Sequence, residues 1–157
     1  MRPMGSWLGS WAVAALLASM AFPAHAAGPL AEREILPNGA VLLVAERPAI
    51  PIVVLRVSVP AGSVHDPADA LGLANLTATL ITRGTARRSG PELDRAIEFV
   101  GGSLEAGAGR DGATVTLSVL KKDLALGLDL LADVLLQPAF PADELARKVA
   151  EIGRAHV

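Results

Sequence analysis

FVGGSLEAGAGRDGATVTLSVL, from Phe99 to Leu120, admits two readings, and the choice between them decides the fold. Gly107 to Gly112 spells G-x-G-x-x-G, which at a strand-to-helix turn would cradle the phosphates of a dinucleotide. That chemistry needs a helix directly after the last glycine. The residues that follow, ATVTLSVL, instead alternate between two faces and are rich in β-branched side chains, the pattern of a half-buried strand. The segment is therefore a hairpin: strands Ser103 to Ala108 and Ala113 to Leu120 around Gly109-Arg110-Asp111-Gly112.

Working outward, Gly101-Gly102 stops a preceding helix, Gly90 to Val100, in which Pro91 suits the first turn and Leu93, Ile97 and Val100 form the buried stripe. Before it, GLANLTATLITRGT, Gly72 to Thr85, repeats Leu73, Leu76 and Leu80 at helical spacing, with Asn75 and Thr79 sharing another face. Ile52 to Val59 is a β-branched run between two prolines, with Arg56 and Ser58 on one face, and predicts a half-buried strand. EILPNGAVLLVAER, Glu34 to Arg47, places a Pro-Asn-Gly turn between extended segments. After the hairpin, Lys121 to Gln137 predicts an amphipathic helix burying Leu124, Leu128, Leu131, Val134 and Leu135, stopped by Pro138, and another helix starts near Pro141. The expected fold is α+β: a largely antiparallel sheet with helices packed on it.

The chain has 157 residues and a net charge of -2, with 3% aromatic residues and no cysteine. Length fits one domain, and the charge leaves no footprint for nucleic acid. The basic pairs Arg87-Arg88 and Lys121-Lys122 read as solvated surface. Disulfides and thiolate metal sites are excluded. At the N-terminus, Arg2, the apolar run Trp11 to Pro23 and the A-x-A site Ala24-His25-Ala26 have the form of a cleaved export signal over residues 1–26. That run is short for a membrane span. A periplasmic or secreted protein beginning at Ala27 is expected, with membrane contact only through its signal. At the other end, EIGRAHV back-translates to the opening of a sequencing-library adaptor, so residues 151–157 are read as a non-native tail.

LPNGAVLLV, the strand ending in VPAGS, GLANLTATLITRGT, FVGGSLEAGAGRDGATVTLSVL and LDLLADVLLQPAF resemble, in order and spacing, the N-terminal domain of the insulinase-like (pitrilysin) zinc metallopeptidases. The resemblance assigns residues 27–150 to that domain, truncated relative to the family. In catalytic members the helix carries H-x-x-E-H: two histidines hold zinc and the glutamate activates water. Here the corresponding positions are Asn75, Ala78 and Thr79. An amide oxygen and a hydroxyl are weak neutral donors for zinc, and alanine supplies no base. The family's third ligand, a glutamate, falls some seventy residues later, in or beside EIGRAHV. Of three histidines, His25 lies in the signal, His156 in the suspected tail, and His65 alone in a turn where it reads as a surface residue.

The resemblance thus implies a non-catalytic subunit without metal or cofactor of its own, paired with a zinc-binding H-x-x-E-H partner to bind and process peptides. Asn75 and Thr79 read as a polar helix face, or else as hydrogen-bonding groups for a substrate backbone. Two alternatives are a structural or assembly subunit of a periplasmic complex without proteolytic role, and an active metallopeptidase with unconventional ligands.

Overall fold

A computed structural model describes residues 30–154, in two compact units that divide after Arg47. Residues 1–26, read above as an export signal, and with them His25, lie outside the described residues, as does His156. In the first unit, β1 (Glu32–Ile35) and β2 (Val41–Val44) pair antiparallel. Their connection uses the expected Pro-Asn-Gly turn: Asn38 Oδ1 accepts the Ala40 N–H at 3.1 Å, and Gly39 adopts φ 83°. A glycine there avoids the steric cost of a left-handed backbone.

The second unit contains β3 (Ile52–Val59), α1 (Leu73–Leu80), α2 (Gly90–Phe99), β4 (Ser103–Ala108), β5 (Ala113–Leu120), α3 (Leu124–Leu136) and α4 (Ala142–Arg154). Its sheet has the order β3-β5-β4 and is antiparallel throughout. The β4–β5 hairpin closes where the sequence placed it, with the Gly109 N–H donating to the Gly112 carbonyl at 2.8 Å. No helix begins at the glycines, so the dinucleotide reading has no structural support.

Pleating sends Val115, Leu117 and Val119 of β5 to one face, where Leu93 and Ile97 of α2 and Leu130, Leu131 and Val134 of α3 cover them. Leu117, Leu130 and Val134 are fully buried. At Gly127 an added Cβ would stand 3.0 Å from Leu117 and 3.1 Å from Val119, so the missing side chain is what lets α3 lie close to the sheet.

Two expectations need correction here. Leu128 is not in the core: it is 46% exposed, and Leu130 is buried instead. Residues 121–123 wind as a single 3-10 turn, because the Lys121 N–H is drawn to the Pro51 carbonyl at 2.8 Å and continues the strand pairing. The α-helix starts three residues late, and its buried stripe runs through Gly127, Leu130, Leu131 and Val134.

Nor is Arg87-Arg88 a solvated pair. Asp133, 2% exposed, accepts from Arg87 Nε at 2.6 Å and from Arg88 Nη1, while Asp129 accepts from Arg87 Nη2 and Arg88 Nη2 at 2.6 Å each. The segment after α1 is thereby clamped to α3. The Thr85 hydroxyl oxygen accepts from the N–H of Arg88 at 3.0 Å, and the Ala86 N–H donates to the Gln137 carbonyl. Lys122, by contrast, is 73% exposed and touches only Asp123, as a surface lysine should.

Candidate functional site

α1 packs on β4 and β5, and both of its ends are fixed. At the N-terminus the Asp66 carboxylate accepts the Gly72 and Ala74 N–H groups at 2.8 and 2.9 Å, satisfying donors that the first turn cannot. Gly72 takes φ 92° to make the entry. Beyond the C-terminus the Arg87/Arg88 clamp holds the following loop.

At 3.6 residues per turn, positions 75, 78 and 79 share an arc of about 100°. The structure divides that arc. Asn75 is exposed at its centre and Thr79 half-buried at one edge, both lining a groove of about 680 Å³ with Leu71, Leu76, Lys148 and Val149. Ala78, 6% exposed, faces the sheet at the other edge.

Thr79 is already engaged, because its hydroxyl donates to the Asn75 carbonyl at 2.9 Å, one turn back along the helix. Its oxygen keeps its lone pairs but remains a neutral hydroxyl, a poor ligand for zinc beside imidazole or carboxylate. With the Ala78 methyl group as the third member, this set does not fit zinc: there is no imidazole or carboxylate donor and no base for a bound water. Among the described residues, no three His, Cys, Asp or Glu side chains gather as metal ligands.

Sequence reasoning missed what α4 brings to this face. Arg83, Glu144, Arg147, Lys148 and Glu151 surround Thr79 in a smaller cavity of about 100 Å³. Glu151 lies about seventy residues beyond Thr79, the separation implied for the third ligand, and α4 continues through it to Arg154. Its carboxylate pairs with Lys148 Nζ at 3.1 Å, and Glu144 pairs with Arg147. The spacing was the only available signal, and it ran into the suspected tail. His65 sits exposed in the 3-10 turn Ser63–His65, as expected, and is not brought to Asn75 or Thr79.

The Insulinase (Peptidase family M16) profile matches residues 41–157. The chain belongs to this family.

A zinc protease of Mycobacterium bovis, named as uncharacterized, is 33% identical over 127 residues, covering 81% of this chain and 28% of that protein. A probable β subunit of the mitochondrial-processing peptidase from Arabidopsis thaliana is 30% identical over 113 residues, 72% of this chain and 21% of the relative. The crystal structure of a peptidase M16 inactive domain from Pseudomonas fluorescens superposes with TM-score 0.73 at 31% identity, covering 77% of this chain and 30% of the other. The chain thus spans under a third of these relatives' length. The α+β architecture is that of the family.

Proposed function

We propose that this insulinase-family chain is a non-catalytic, exported subunit that binds peptide beside a zinc-bearing H-x-x-E-H partner. The carrying observation is the divided arc of α1: a self-bonded threonine, an exposed asparagine and a buried alanine stand where two ligands and a base are required. Relatives described as α and β subunits of the mitochondrial-processing peptidase support a paired arrangement.

Peptide binding without hydrolysis uses parts this chain retains. β4 has a neighbour on one side only among the described residues, and α1 packs against it. An extended peptide added to that edge would be held by main-chain hydrogen bonds. The Asn75 amide, with donor and acceptor both available, would meet a peptide group in the groove alongside. Zinc belongs to the partner in this reading, and no step of hydrolysis runs through this chain.

The test is elemental analysis and peptidase assay of the mature protein, alone and mixed with an H-x-x-E-H homologue from the same organism. Alone it should carry no stoichiometric zinc and cleave nothing, and the mixture should turn over peptide faster than the homologue by itself. One zinc per chain, removed by chelator together with peptidase activity, would overturn the proposal. A mixture no faster than the homologue alone would favour an assembly role.

A further inference from the structure

Beneath α1 lies a cavity of about 310 Å³ that peptide binding at the β4 edge does not use. Its ceiling is the inner face of α1, with Ala74 and Ala78, and Ile81 just after it; its floor is the sheet at Val57 and Val115, with Leu135 of α3 at the side. The lining is almost wholly aliphatic. Exposed Val59, His65, Leu73 and Thr77 form the rim through which it meets solvent.

The walls cannot close over this space by a simple shift. Asp66 fixes the start of α1, and the Arg87/Arg88 pair fixes the loop after it against Asp129 and Asp133. At the rim, Gly62 touches the opposite turn so closely that an added Cβ would stand 2.3 Å from the Arg110 carbonyl. The helix is thus held at a set height while Ala74, Ala78 and Ala106 leave the interval unfilled. The space opens to solvent at its rim, and an apolar molecule entering it would displace water from aliphatic walls.

The polar groups at the rim select the ligand's charge. Asp66 has both carboxylate oxygens committed to backbone donors, and its negative charge disfavours an anion. The exposed His65 imidazole lines the mouth, where it can meet one hydroxyl or carbonyl. Asp66 is the carboxylate lining the space among the described residues, and with both oxygens bonded to backbone donors it offers an ammonium group inside no free acceptor.

We infer that this cavity is a binding site for one small, uncharged, largely apolar molecule, and that alanine at position 78 makes it so. At about 310 Å³ it is roughly twice the ~150 Å³ apolar cavity that accepts benzene. A glutamate at position 78 would narrow the space and set a carboxylate beside an aliphatic wall.

The probes are toluene and 1-hexanol, titrated at millimolar concentration into the full chain, with backbone amide shifts followed by NMR. Saturable shifts are expected at Ala74, Ala78 and Val115, with hexanoate and hexylammonium binding at least roughly tenfold more weakly, the scale of one buried charge left unpaired. Ala78→Leu fills the cavity from the buried arc of α1, and Thr77→Leu fills it from the rim, so one remains informative if the other does not fold. Either folded variant should lose toluene binding. Absence of saturable binding in the wild type would overturn the inference, as would shifts confined to other residues or binding that survives in the filled variants.

Discussion

Asp133 shows how much one buried charge can decide at the scale of the residue. It is 3% exposed at the side chain and receives two guanidinium groups, of which Arg87 is half exposed and Arg88 about a quarter. Asp133→Ala removes the buried acceptor of the clamp and leaves both arginines to the more exposed Asp129 alone. A loss of about 2 kcal/mol is expected, less than for a fully buried pair because Arg87 can turn to water. Urea unfolding of the two proteins measures it, and an unchanged midpoint would mean the clamp does not form in solution.

Asp129 adds a pH dependence with a definite sign. Hydrogen bonds from Arg87 and then Arg88 hold its carboxyl below the ordinary aspartate value. A group whose value is depressed on folding contributes stability above its unfolded value, near pH 4, and loses it as pH falls through the folded one. Below about pH 4 the wild type should therefore lose stability more steeply than Asp129→Asn. Urea midpoints across that range make the comparison, and superimposable acid limbs would contradict it. On α1, the change Asn75→His, Ala78→Glu, Thr79→His restores two imidazoles and a carboxylate to one arc. Weak zinc binding without turnover is expected, since selected supporting contacts are absent. Zinc titration showing no gain over wild type would mean these positions do not form the ligand face.

At the scale of the element, helix ends carry more information than helix middles. Ser89 precedes α2, and the Glu92 carboxylate reaches back to accept both the Ser89 N–H at 2.8 Å and the Ser89 hydroxyl at 2.7 Å. These bonds draw the Glu92 carboxyl below its usual value. Ser89→Ala should cost about 1 kcal/mol, read from the denaturant midpoint. At the other end, Gly101 takes φ 65°, and a Cβ on Gly102 would lie 2.7 Å from the Ser118 carbonyl and 2.8 Å from Ile97 Cδ1. Gly102→Ala is expected to cost roughly 1–3 kcal/mol by overpacking where α2 hands over to β4. A melting temperature equal to wild type would show that the strand can move aside.

The Gly-Gly stop, the Pro91 first turn and the Leu93/Ile97 stripe were all legible in the sequence, because each is a local signal. The S-x-x-E start of α2 was equally local but went unread. α3 was legible as a helix and illegible as a packing surface. LALGLDLLADVLL carries leucine around most of its circumference, so hydropathy alone cannot set which side turns inward.

Over the whole molecule, the last residues offer a direct test. Glu151 contributes one exposed pair with Lys148, and exposed pairs are worth at most about 1 kcal/mol. Ending the chain at Ala150 should leave the thermal midpoint of the second unit within a few degrees, whatever the origin of EIGRAHV. A larger drop would show that the tail packs.

The hairpin, the order of elements and the unfitness of Asn75, Ala78 and Thr79 as zinc ligands are written in the residues, since backbone periodicity and donor chemistry are local properties. Which face of α3 is buried, that Arg87 and Arg88 close on Asp129 and Asp133 more than forty positions away, and that Ala78 borders a cavity while Asn75 meets solvent all emerge from packing in three dimensions. Those outcomes depend on how far one element stands from another. That distance is set by the two pinned ends of α1 and the close approach at Gly127, which no local pattern encodes.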